Sequence, residues 1–166
     1  MASRKSAQIT NRDSVPSVFN NSNAGPGSQA LNYCGVVSAV ATADVSGDVY
    51  RMFEVPTNIR VSNVWSFTTG LGGSAAGDIG VYRNTRDGGA VVDADFFGSA
   101  VSFVSPSGNS EVTNESGNNS AAKREQPLWQ ALGLASDPGG TFDICITLTA
   151  TVGTSNPIGL NLFGAQ

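Results

Sequence analysis

Hydrophobic and polar residues alternate along most of the chain beyond residue 32 and hardly at all before it. Ile59, Val61, Asn63, Trp65 and Phe67 share one face of an extended segment, opposite Arg60, Ser62, Val64 and Ser66. Period two over this length predicts a strand. The clearest case is 141–152, where Phe142, Ile144, Ile146, Leu148, Ala150 and Val152 alternate with Thr141, Asp143, Cys145, Thr147, Thr149 and Thr151. Val49, Arg51, Phe53 and Val55 alternate with Tyr50, Met52 and Glu54 until Pro56 breaks the run. Further strands are expected at 33–44, 78–83, 90–92, 95–104 and from Ile158 to Leu162. The links 70–77 and 84–89 and the turn Asp137–Gly140 carry the glycines that separate them.

One helix of about two turns is expected over Gln126–Leu132, with Pro127 suited to its first turn and Gly133 to its end. The stretch Ser105–Lys123 is dense in Ser, Asn and Gly and predicts an exposed loop or a frayed hairpin. About eight strands with one connector helix point to an all-β protein, an antiparallel β-sandwich. Jelly roll is the leading topology and an immunoglobulin-like sandwich its nearest competitor.

Residues 1–32 differ in kind. Ile9, Val15, Val18 and Phe19 are almost the only sizeable apolar side chains among Ser, Asn, Gln, Gly and Pro. So little apolar surface cannot offset the entropy of ordering the segment. It is a tail without fixed structure, or an extended N-terminal arm that becomes ordered on another chain. The division is therefore an arm over 1–32 and one sandwich domain over 33–166, with Ile9, Val15, Val18 and Phe19 as the arm's anchors.

Charge sharpens this picture. Only 13% of residues are charged, and Lys5 and Lys123 are the only lysines. That is about half the usual share, so neutral polar groups solvate the surface. Such a surface suits contact with other proteins, because fewer charges must be desolvated. The net charge of −4 and the absence of a basic stripe argue against nucleic acid as a partner. Arg4, Lys5 and Arg12 against Asp13 make the leader only mildly basic. The beginning Met1–Ser6 has no apolar signal region and no stretch reaches membrane-spanning length, so a soluble cytosolic product without a membrane partner is expected.

Little in the chain can do chemistry. With no histidine, Ser-His-Asp and Cys-His catalysis and the common zinc sites are excluded. No cofactor is expected, and no enzyme. Asp93 and Asp95 would point to one side of a strand, as a carboxylate pair requires. The plainer and favoured reading has them capping backbone donors before Phe96 and Phe97. Cys34 and Cys145 are expected as free thiols. Trp65, on the face of Ile59, Val61 and Phe67, is expected in the core. Trp129 either plugs the sandwich end or meets a neighbour, and Lys123–Glu125 is expected to be solvated.

The residues Gly77–Arg83, followed by Asp87–Phe97, together with Tyr50–Arg51 and Val55–Val61, resemble a stretch of capsid cement, or decoration, proteins of short-tailed bacteriophages. The resemblance implies a jelly-roll protein made in the host cytoplasm that oligomerises, as a dimer or trimer, on the capsid surface of the virion. Its partner would be the major capsid protein, whose neighbouring subunits it staples, with the arm reaching across. The alternative is a head-fibre or tail-associated module that binds a glycan or host surface. Trp129, Tyr82 and the loop 105–123 would then form the contact.

Overall fold

The computed structural model describes residues 30–37 and 44–166. The proposed anchors Ile9, Val15, Val18 and Phe19 lie outside the described residues. Eight strands run in order: β1 (Ala30–Val37), β2 (Val49–Pro56), β3 (Arg60–Thr68), β4 (Ala76–Arg83), β5 (Val91–Ser102), β6 (Ser107–Glu111), β7 (Thr141–Leu148) and β8 (Ile158–Ala165). They form two antiparallel four-stranded sheets, ordered β1-β8-β3-β6 and β2-β7-β4-β5. We call these the first and second sheet. The all-β sandwich expected from the alternation is what the chain forms.

The inner faces follow the alternation. Phe142, Ile144 and Ile146 of β7 are fully buried and belong to one core cluster with Ile158, Leu160 and Leu162 of β8. Phe96, Phe97 and Phe103 fill the core from β5 and the residues just beyond it. One turn of helix, α1 (Leu128–Ala131), closes an end of the sandwich by burying Leu128 and Ala131. Its backbone is tied to the sandwich through Leu128 N–H to Ile59 O and Trp129 N–H to Thr57 O.

Four departures from the sequence reading have physical causes. The helix is one turn rather than two: Pro127 serves as its N-cap, and the left-handed Gly133 (φ +77°) follows its C-cap Leu132. The segments 90–92 and 95–104 are one strand, β5, whose pairing with β4 shifts register three times. Part of the expected loop is β6, an all-polar edge strand that pairs with β3 through Trp65↔Glu111, Ser66↔Ser110 and Thr68↔Ser107. Its membership depends on backbone hydrogen bonds rather than on burying side chains, so no alternation betrays it.

The fourth departure reverses a face. β3 pairs with β8 with Val61 opposite Gly164 and Asn63 opposite Phe163, which leaves Ser62 as an extra residue. A bulge of one residue moves every later side chain to the other face. Val64 therefore faces the core with Val61, and Trp65 and Phe67 are half-buried on the outside. The expectation that Trp65 is a core residue is overturned. The carbonyl of Ser62 accepts a hydrogen bond from Arg124 Nη1, and Arg60 Nε donates to Glu125 O at 3.0 Å. Arg124 and Glu125 thus clamp β3, and Lys123 Nζ donates to Asn118 O.

Candidate interaction face

Two regions outside the core gather the residues singled out by the sequence. The first, on the outside of the second sheet, is a polar network centred on Arg51. Its Nη1 donates to Asp143 Oδ2 at 2.7 Å and to Arg83 O at 3.0 Å, and its Nη2 donates to Gly89 O at 2.7 Å. Asn84 Nδ2 donates to Glu54 at 2.9 Å and to Asp143 Oδ1 at 3.2 Å, and Arg86 pairs with Glu54 at 2.9 Å. The Arg51 guanidinium lies 5.5 Å from the Tyr82 ring centroid. The segments that carry the resemblance thus converge in space: β2, β4 and the turn before β5 are stitched together by one arginine.

Arg51 Nη1 and Nη2 and Asn84 Nδ2 are all engaged within the protein. The network has the character of a structural tie, as does Gly80, where a Cβ would stand 2.2 Å from the carbonyl oxygens of both Asp93 and Ala94. Tyr82, a candidate surface contact on sequence grounds, is 7% exposed, and its hydroxyl lies 2.6 Å from Thr147 Oγ1. That correction follows from β4 lying between β7 and β5. Trp129 is half-buried and packs against the core at the sandwich end.

Asp93 and Asp95 do come together. Asp95 N–H donates to Asp93 Oδ1 at 3.3 Å, and Asn118 Nδ2 reaches Asp95 Oδ1 at 3.1 Å. Burial, reinforced by the hydrogen bond between the two carboxyls, raises the pKa of Asp93. Among the described residues no group of three or more His, Cys, Asp or Glu side chains is placed to hold a metal ion. Cys145 is fully buried and burial pushes its thiol pKa up to about 12, whereas Cys34 is exposed. Both are free thiols.

The second region is the outer face of the first sheet, and the sequence reading missed it. Residues opposite one another in adjacent strands point to the same side. Val36, Gly159 and Phe67 therefore form one row, Cys34, Asn161 and Trp65 the next, and Asn32, Phe163 and Asn63 a third. Gly159 has no side chain because the Phe67 ring occupies that place, 2.2 Å from where a Cβ would be. Val36 is 51% exposed and Phe163 40%. Val36, Phe67, Pro106 and Pro157 line a groove of about 670 Å³, and Trp65 and Phe163 line a smaller one with Asn109 and Asn161. On β1, β8 and β3 these rows hold no charged residue, and on β6 the middle row ends in the exposed Glu111, opposite Trp65. The only signal that could have located the face was the bulge, and an extra serine leaves no mark in a hydrophobicity pattern.

Among the described residues no helix is long and apolar enough to cross a membrane. The chain matches no protein-family model and no curated protein. Its fold is shared with a chain of the cyanophage Pam1 capsid asymmetric unit, with a TM-score of 0.56 and 14% identity over 92% of this chain and 96% of that one. A chain of the acidic stable capsid structure of Helicobacter pylori bacteriophage KHP30 aligns over 82% of this chain and 92% of that one, at 9% identity and a TM-score of 0.39. At 14% identity the likeness to the Pam1 chain is one of fold.

Proposed function

We propose that this protein is a bacteriophage virion component that binds the capsid exterior and staples or decorates neighbouring major-capsid subunits by protein–protein contact, without catalysis. The observation that carries the reading is the outer face of the first sheet, where Val36, Trp65, Phe67 and Phe163 are open to a partner and charge is confined to Glu111 at the β6 edge and Arg60 at one end. A contiguous apolar patch of this kind marks an interaction surface. The fold shared with a chain of a phage capsid supports placing that surface in a virion. The strand order β1-β8-β3-β6 against β2-β7-β4-β5 supports a jelly roll, in which eight strands divide between two sheets.

In this reading each domain makes modest contacts, a homo-oligomer of two or three copies repeats them, and the leader adds reach. The net charge of −4 fits a protein partner better than a phosphate backbone. The glycan-binding reading draws on Trp65 standing beside Asn109 and Asn161. The apolar reach from Val36 to Phe163 is longer than one sugar ring and favours polypeptide.

The test compares the intact chain with one lacking residues 1–29, a cut that leaves β1 whole. Binding to shells assembled from the cognate major capsid protein, and oligomer mass, are the readouts. Loss of the arm is expected to weaken shell binding by about tenfold or more. Equal binding by both forms would remove the staple and leave decoration by the body. No binding by the intact chain would refute the capsid reading altogether.

A further inference from the structure

We propose that the outer face of the first sheet is the receiving surface for this chain's own leader, with the segment Val15–Phe19 laid across the three rows. The inference deepens the staple reading, and rests on it, by naming where an arm is held.

Size selects the occupant. Four strands of this length present roughly 500 Å² on one face, well under the 800 Å² or so that each side of a stable interface contributes. The face is too small to hold a second folded domain by itself. It is well matched to one extended segment, which needs a width of only two or three strands. Position points the same way. Residues 1–29 precede Ala30, and Ala30 begins β1, the edge strand of this same sheet. The eleven-residue tether from Phe19 to Ala30 spans up to about 36 Å, enough to reach this face on its own chain or on a neighbour.

The spacing of side chains fits as well. In an extended segment Val15, Ser17 and Phe19 point to one side, with about 7 Å between successive members. Successive rows on the face have the same spacing, because they lie two residues apart along each strand. Each outer row carries apolar side chains, Val36 and Phe67 in one and Phe163, between Asn32 and Asn63, in the other. The middle row holds Cys34, Asn161 and Trp65. Laid along β1 in either direction, the segment sets Ser17 over Cys34, one apolar residue on Val36 and the other over Asn32 beside Phe163. Asparagines at positions 32, 63 and 161 offer amides to its backbone, and a segment lying on β1 and β8 leaves Glu111, on the far edge strand β6, in water.

Cys34 makes the proposal testable in the full chain without capsid, since it is exposed and Cys145 is buried. In a Ser17→Cys variant, mild oxidation is expected to join residues 17 and 34, identified by peptide mass. A Ser6→Cys variant should form that link at least about fivefold more slowly. Reaction of Cys34 with a thiol reagent should accelerate about fivefold or more in the Val15→Ser/Phe19→Ser double variant, as the cover is lost. A link at monomer mass supports docking while removing the staple. A link at dimer mass supports both. Equal rates for Ser6→Cys and Ser17→Cys, or a thiol rate unchanged in the double variant, would overturn the proposal. So would protection of Cys34 by a panel of oligosaccharides in that double variant, which would make the face a sugar site.

Discussion

The Arg124 guanidinium donates a hydrogen bond to the carbonyl of Ser62, the one residue by which β3 exceeds its partner β8. A bulge leaves backbone groups outside the ladder, and here a side chain from the segment before α1 takes one of them up. The consequence reaches beyond stability, because the bulge decides that Trp65 and Phe67 face outward. Arg124→Ala is expected to cost about 1–2 kcal/mol and to shift the emission of Trp65, read in a Trp129→Phe background. An unchanged denaturation midpoint together with an unchanged spectrum would show that the bulge holds without the clamp.

The Arg51–Asp143 pair makes a second prediction. Asp143 is 8% exposed, so Arg51→Ala leaves a nearly buried carboxylate without its cation. The expected loss is about 3 kcal/mol. Asp143→Asn should cost less, and the double variant less than the sum, with a coupling of about 1–2 kcal/mol. Urea denaturation of the four proteins measures it, and additive losses would contradict the network.

Backbone crowding gives a third. Gly80→Ala drives a Cβ into the carbonyls of Asp93 and Ala94, and Gly35→Ala drives one to within 2.3 Å of Met52 O. Neither neighbour is a side chain that can swing away, so each change is expected to cost about 3 kcal/mol or more. Gly108→Ala, with nothing within 4 Å, is the control and should be close to neutral. Thermal midpoints of the three variants decide the matter.

The Asp93 carboxyl supplies a pH dependence. Its pKa is raised in the folded state by burial and by the bond to Asp95. Such a group favours the folded state below its unfolded pKa, and that contribution is lost as pH rises through the folded value. Asp93→Asn removes the penalty of ionising it. The variant should melt higher than the native chain at pH 7, with the difference shrinking toward pH 3. A difference that grows on acidification would reverse the sign and refute burial as the cause.

The strands of the core were legible because their residues obey one period and one burial rule. The alternation over 141–148 placed Phe142, Ile144, Ile146 and Leu148 inside, and all are buried. What the pattern could not carry was anything that depends on a single residue's excess or on backbone pairing. Ser62 inverts a face without changing composition, and β6 joins a sheet with Ser107, Asn109 and Ser110 in place of apolar residues. The outer face of the first sheet depends on both, which is why Trp65 was expected in the core and the face itself was missed. Tyr82 was misplaced for another reason: its strand's neighbours β5 and β7 cannot be assigned from sequence order alone.

The pairing of β1 with β8 sets Ala30 against Ala165 and puts β8 between β1 and β3. This has a consequence in time. Contacts between distant parts of a chain are made late and slowly. While the protein is being synthesised, β1 has no partner and β3 lacks its central neighbour until β8 has left the ribosome. The leader is therefore in the cell well before the surface proposed to hold it exists. The face can form only on a finished chain, so a nascent copy has nothing of its own for the arm to occupy.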